Sequence, residues 1–193
     1  HRLLDRAETE HATGTDSYVG GLLTARNGHL HPLNLCLGEA RAAAGLGAEI
    51  YEQSPVLRIE HGPRPAVITE GGRVRADAVI LGGNAYHRLE RKRLSGLTFP
   101  AGSYIIATEP LDEDTRRRIN PFDAAICELN EILDYFRLSA DGRLLYGGRC
   151  NYSGRDPKSI QAAVKPRMLK HYPMLRDARI DYAWSGWIGI GIN

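Results

Sequence analysis

Residues 74–86 read VRADAVILGGNAY, an apolar run through Leu81 that ends in Gly82-Gly83. A buried strand closing on paired glycines can bring backbone against a nucleotide or a neighbouring loop, because glycine has no side chain to hold the approach off. A Gly-x-Gly-x-x-Gly turn, which would hold a pyrophosphate at a helix N-terminus, occurs nowhere in the 193 residues. The stretch therefore predicts the later part of a dinucleotide-binding layer without its first half-site.

Working back from this stretch, Pro32 opens a helix that runs to Leu46 and is stopped by Gly45-Leu46-Gly47. Cys36 lies in its apolar pattern and is predicted to be core. Ala48–Tyr51, Ser54–Glu60, Ala66–Thr69 and Arg73–Leu81 read as strands, with turns at His61–Pro65 and Gly71-Gly72. The economical arrangement is a parallel layer carrying a small antiparallel insertion and covered by the helix. Nearer the N-terminus, Leu3–Glu10 is compatible with a helix.

Beyond Tyr86 the texture changes. Arg88–Arg93 is a basic run at a predicted boundary, read as a solvated helix face or linker rather than a phosphate-recognition site because it lacks interleaved aromatics. Ser103–Thr108 is a strand, Leu111–Ile119 a polar helix, and Ile132–Leu138 with Arg143–Gly148 a hairpin around Ala140-Asp141-Gly142. Pro157–His171 follows as a helix and Ile180–Trp184 as a strand. The tail then alternates Ile188, Ile190 and Ile192 with glycine, a pattern that suggests a truncated end. The expected fold is α/β plus antiparallel α+β: a partial Rossmann-like domain over 1–90 and an antiparallel-sheet domain over 91–193, truncated at both ends.

The composition is that of a foldable chain, 42% apolar and 25% charged, and the net charge of +2 gives no argument for nucleic acid. No apolar run reaches the roughly 18 residues of a membrane span, so a cytoplasmic location is expected. Cys36, Cys127 and Cys150 are too few and too unevenly spaced for a disulfide framework or a zinc motif. His29 and His31 lack further metal ligands nearby, and no metal is expected.

Five segments together carry a resemblance: Tyr18-Val-Gly-Gly-Leu22, Gly28-His-Leu-His-Pro-Leu-Asn34, Tyr51-Glu-Gln-Ser-Pro-Val56, Ala78–Tyr86 and Leu133-Asp-Tyr-Phe-Arg137. Thr108-Glu-Pro110, Asp156-Pro157 and Ile180-Asp-Tyr-Ala-Trp184 with Ser185-Gly186 extend it over nearly the whole chain. With these residues the chain resembles the D-amino-acid-oxidase-like flavoproteins. The resemblance implies FAD as cofactor, a small amine substrate, and oxygen or another electron acceptor, with neither nucleic acid nor membrane as partner. It implies oxidation of a carbon–nitrogen bond by hydride transfer to flavin. The alternative is a noncatalytic subunit or assembly module of a flavoprotein complex. Lacking the first glycine turn and a last flavin-binding segment, this chain alone is expected to be inactive without the remainder of its parent or a complementary chain.

The same resemblance assigns site residues. Val56 matches a position whose backbone meets the adenine of FAD, and Gly82 and Gly83 match the second nucleotide-proximal motif. From the residues alone, Val56 also reads as a core valine and Gly82-Gly83 as an ordinary turn. His31 could approach the flavin or satisfy local backbone groups, and Asn34 could cap the following helix. Tyr135, Arg137, Tyr146 and Arg149 are implied on the substrate side, where aromatic rings would hold an aliphatic chain and arginine a carboxylate. Trp184 and Trp187 could line the route to the flavin or serve as buried indoles.

Overall fold

The computed structural model describes residues 1–86, 89–90, 94 and 96–191, except for the side chain of Arg149. Two compact units are present, one of residues 1–30 with 101–186, the other of residues 31–100 with 187–193.

In the first unit, β1 (Arg2–Leu4) pairs antiparallel with β2 (Gly21–Leu23), and α1 (Arg6–Thr13) lies between them in sequence. The helix begins later than the apolar pattern suggests because Asp5 is a strong stop for the strand and a start for the helix. Its Oδ1 accepts from the Glu8 N–H at 2.8 Å, and Glu8 Oε2 accepts in return from the Asp5 N–H at 3.0 Å. This reciprocal box satisfies two amides that a helix end leaves unpaired. Gly14 ends the helix at φ +65°, where an added Cβ would stand 2.2 Å from the Arg118 carbonyl oxygen.

The main sheet has the order β10 (Ile180–Gly191), β6 (Thr98–Thr108), β9 (Leu144–Asn151), β8 (Tyr135–Leu138), β7 (Ile126–Cys127). The predicted hairpin is β8–β9, with Gly142 at φ +81° in its turn. Alternation gives one face to the core: Tyr104, Ile106, Phe136, Leu138, Leu144 and Tyr146 are all buried. Above them packs α4 (Ile160–His171), started by Ser159, whose Oγ accepts from the Ala162 N–H at 3.1 Å. Val164, Met168 and His171 lie at helical spacing on its buried face. Ile119, at the end of α3 (Glu113–Ile119), and Tyr172 and Leu175 complete the cluster. Full burial of each large apolar side chain contributes about 1.5–3 kcal/mol, which makes this cluster the chief stabilising feature of the unit.

The β6–β9 ladder is broken once. Ser103 partners Cys150 but Tyr104 partners Gly148, so Arg149 is an extra residue without a partner, a β-bulge.

The second unit contains α2 (Pro32–Gly45) and an antiparallel sheet of β3 (Arg58–Glu60), β4 (Ala66–Ile68) and β5 (Arg73–Arg75). The predicted parallel layer is not found: every described strand register is antiparallel, and Ala48–Tyr51 and Ala76–Leu81 form no strand. Apolar sequence makes a strand only where a neighbour supplies hydrogen bonds. The short hairpins bring their own neighbour, whereas Ile80 is 93% exposed. Cys36 is likewise exposed rather than core, since α2 has no buried residue at all. The basic run at 88–93 lies mostly outside the described residues, as does Ile192.

Candidate functional site

In the first unit the sheet sorts the expected substrate-side residues by strand parity. Tyr135 and Arg137 share the half-buried face of β8, while Phe136 and Leu138 point into the core. The Tyr135 hydroxyl is 2.7 Å from Ser103 Oγ on β6. Burial raises the Tyr135 phenol above its usual range, against the opposing effect of the Ser103 hydrogen bond, so it is a neutral hydroxyl at any physiological pH. Its ring lies over Gly147, where an added Cβ would come within 2.1 Å of it. The glycine after Tyr146 thus exists to seat an aromatic ring from the adjacent strand.

Arg137 is turned toward its own unit. Nη1 donates to the Leu138 carbonyl at 3.1 Å and Nη2 to the Leu30 carbonyl at 3.2 Å, and Nη1 lies 3.5 Å from His29 Nδ1. The other ring nitrogen of His29 is 2.8 Å from the Asp123 carbonyl oxygen. Tyr146 occupies the opposite face of the sheet from Tyr135, fully buried and stacked on Phe136 with centroids 5.3 Å apart. Arg149 is the bulge residue, with its side chain outside the described residues. Trp184 is exposed on β10 rather than a buried indole.

Sequence reading missed the polar cluster behind this face. Asp134, next to Tyr135, sits beneath Gly148, where an added Cβ would lie 2.1 Å from Asp134 Oδ1. The same oxygen accepts from Arg167 Nε at 2.6 Å, and Nη2 of that guanidinium donates to the Ile132 carbonyl at 3.0 Å. Burial works to raise the Asp134 carboxyl, but contacts from His171, Arg167 and Tyr146 outweigh it and hold the group below the usual carboxylate range. Of these only Arg167 is within hydrogen-bond distance in good geometry; His171 Nε2 stands 3.7 Å away, and among the described residues the Tyr146 hydroxyl has no hydrogen-bond partner. Ligand atoms of Glu128, Asp134 and His171 lie within 4.8 Å of one another. That spacing could suit a metal ion, but the Arg167 guanidinium already supplies the cation.

In the second unit, Val56, Gly82 and Gly83 lie on exposed backbone outside any strand. Among the described residues, a Cβ at Gly82 would meet nothing within 4 Å. His31 takes the local role: it is the N-cap of α2, its Nδ1 accepting from the Asn34 N–H at 3.3 Å. The amide of Trp187 donates to the Tyr86 hydroxyl at 2.7 Å. The Gly189 amide donates to Asn84 Oδ1 at 2.6 Å. Neither Asn84 nor Tyr86 stands out in the sequence, where the glycines before them attract the attention. The available signal was an asparagine directly after a Gly-Gly pair, a residue that tolerates the left-handed φ of 49° found there.

Residues 1–191 match the profile of the family described as FAD dependent oxidoreductase (DAO). The chain belongs to this family. Among relatives of the FAD dependent oxidoreductase chain, gamma-glutamylputrescine oxidoreductase of Escherichia coli is 42% identical over 186 residues, which are 95% of this chain and 43% of the relative. A probable oxidoreductase, OrdL, of Haemophilus influenzae is 39% identical over 202 residues, covering 100% of this chain and 45% of its own length. The chain thus spans less than half the length of these curated relatives. Glycine oxidase from Geobacillus kaustophilus superposes with a TM-score of 0.79 at 19% identity, covering 98% of this chain and 51% of that structure. L-proline dehydrogenase from P. horikoshii superposes with a TM-score of 0.78 at 16% identity, covering 96% and 52%. At these identities the two structures speak for the fold alone.

Proposed function

We propose that the intact protein carrying this chain oxidises the carbon–nitrogen bond of an amine or amino acid with FAD as cofactor, and that gamma-glutamylputrescine or a related amine is its substrate. The observation that carries this reading is the 42% identity to gamma-glutamylputrescine oxidoreductase, sustained over 95% of the chain within a family match that spans both units. Bound FAD supplies a two-electron acceptor for hydride from the carbon next to the nitrogen.

In support of this reading, the Gly82 backbone is exposed, and among the described residues a Cβ added there would meet nothing within 4 Å. Val56, Gly82 and Gly83 are the residues assigned to hold FAD by backbone contact. Tyr135 and Arg137, with Trp184 and Trp187, are assigned to the substrate. Tyr135 would offer an aromatic surface to a methylene chain while its hydroxyl stays fixed by Ser103. Arg137, held through two carbonyls, would act as an oriented positive charge rather than a free fork. Tyr146 backs the sheet from the core side. Oxygen or another acceptor would reoxidise the protein.

No described helix is long and apolar enough to cross a membrane. The three cysteines are unpaired, which suits a reducing compartment, and we assign the protein to the cytoplasm.

The test is an ultraviolet-visible spectrum of the intact protein, followed by anaerobic addition of gamma-glutamylputrescine. A flavin spectrum that the amine bleaches is the expected result. A flavin spectrum that stays unchanged refutes the substrate, and a protein that carries no flavin and takes up none refutes the enzyme reading in favour of a noncatalytic module.

A further inference from the structure

The Gly82–Tyr86 segment attracts notice for its glycines, yet its polar side chains make the long-range contacts. Asn84 and Tyr86 accept hydrogen bonds from the amides of Gly189 and Trp187, at 2.6 and 2.7 Å. These amides are two residues apart on β10, so they lie on the same edge of the strand. The acceptors are also two apart, brought into step by the short 3₁₀ turn of residues 84–86, in which the Tyr86 N–H donates to the Gly83 carbonyl at 2.9 Å. About a hundred residues of chain separate the two partners.

Gly189 shows how closely the fit is made. A Cβ there would stand 2.8 Å from Asn84 Oδ1 and 3.2 Å from the Ala85 amide nitrogen. Gly191 differs, since among the described residues a Cβ there would meet nothing within 4 Å. Gly189 thus admits the Asn84 side chain. Packing contributes little to this end of β10. Ile188 and Ile190 are 51% and 36% exposed, and glycine in a strand has much conformational entropy to lose, so side-chain packing alone holds this segment weakly. Asn84, Leu97, Thr98 and Gly189 line a cavity of about 290 Å³ beside the contact.

We propose that Asn84 and Tyr86 are positioning residues that lock the Trp187–Gly191 end of β10 to the Gly82-Gly83 turn, and that this lock sets the affinity of the turn for FAD. The inference rests on the reading above that Gly82-Gly83 meets the cofactor. A neutral hydrogen bond contributes enough that its loss should change an affinity by up to about tenfold.

The experiment uses the intact protein stripped of cofactor, with FAD binding followed by quenching of flavin fluorescence and amide hydrogen exchange followed at residues 187 and 189. Asn84→Gly keeps the left-handed backbone and removes the acceptor. It should speed exchange at Gly189 and raise the Kd for FAD, each about tenfold. Asn84→Asp keeps an acceptor oxygen and should restore both to within about twofold. Tyr86→Phe, which removes one hydroxyl, should speed exchange at Trp187 and weaken FAD in the same sense. If exchange rises while the Kd stays at the wild-type value, the contacts are structural only and the inference fails, with the enzyme reading intact. Unchanged exchange in Asn84→Gly overturns the lock itself. An intact wild-type protein that binds no FAD sinks both the enzyme reading and the role given to the lock.

Discussion

Helices α4 and α2 are of similar length, yet they live in different surroundings. The Val164, Met168 and His171 face of α4 is closed over by the main sheet, and the first two side chains are 0% exposed. Leu33, Leu35 and Leu37 of α2 are 59%, 47% and 45% exposed although its sequence is the more apolar of the two. Hydrophobic patterning reports that a face can be buried; it does not report whether a partner is there to bury it. In the first unit the partner comes from the chain's own sheet.

The largest expected effect that sharpens this contrast is Met168→Ala, which should cost about 2–5 kcal/mol in urea denaturation because it leaves a cavity under the sheet. A loss as small as that of an exposed residue would break the comparison. Next comes Gly148→Ala. Its new methyl would meet the Asp134 carboxylate at 2.1 Å, and a penalty of about 1–3 kcal/mol is expected from displacing a residue that Arg167 holds in place. Near-neutral behaviour would mean that the polar cluster is loose.

Acid comes third. Asp181 is hydrogen-bonded to Arg179 and Arg143, which hold its carboxyl down at about 2 from an ordinary 3.8. The unfolded chain thus binds the proton first as pH falls. The stabilisation is complete above about pH 4 and disappears as pH drops through about 2. Denaturation curves of Asp181→Asn between these limits should be flatter with pH than those of the wild type, and parallel curves would show the ion pairs to be ineffective. Smallest of all, Leu33→Ala in this 193-residue chain should change stability by no more than about 0.5 kcal/mol. A much larger loss for the same change in the intact protein would show that the face is covered there.

Local chemistry was legible in the sequence wherever the chain carries its own partner. The Ala140-Asp141-Gly142 hairpin and the helix ending at His171 follow their turn residues and periodicity closely. The start of α1 did not, because Asp5 and Glu8 act through side-chain caps that periodicity does not register. In Leu133–Arg137 the sequence singles out Tyr135 and Arg137 by residue type, whereas the role of Asp134 depends on an arginine and a glycine from elsewhere in the chain. Residues 77–81 are the opposite case: a strand pattern that pairs with no strand among the described residues. The pattern of one segment is not enough, since a strand is a relation between two segments.

The bulge at Arg149 has a consequence for how this chain can change by insertion and deletion. A regular strand is a two-state code in which every second residue shares a side, and here one unpaired residue shifts the phase of that code. Cys150 thereby stands with Ser103, and Asn151 with Gly102, from where its side-chain amide reaches the Tyr104 hydroxyl at 3.1 Å. Deleting Arg149 would remove the bulge and leave Gly148, Cys150 and Asn151 facing Tyr104, Ser103 and Gly102 in an unbroken ladder, whereas straightening the strand with Arg149 retained would exchange the sides of Cys150 and Asn151. Arg149 is thus a residue whose loss the end of β9 can absorb without turning its side chains over.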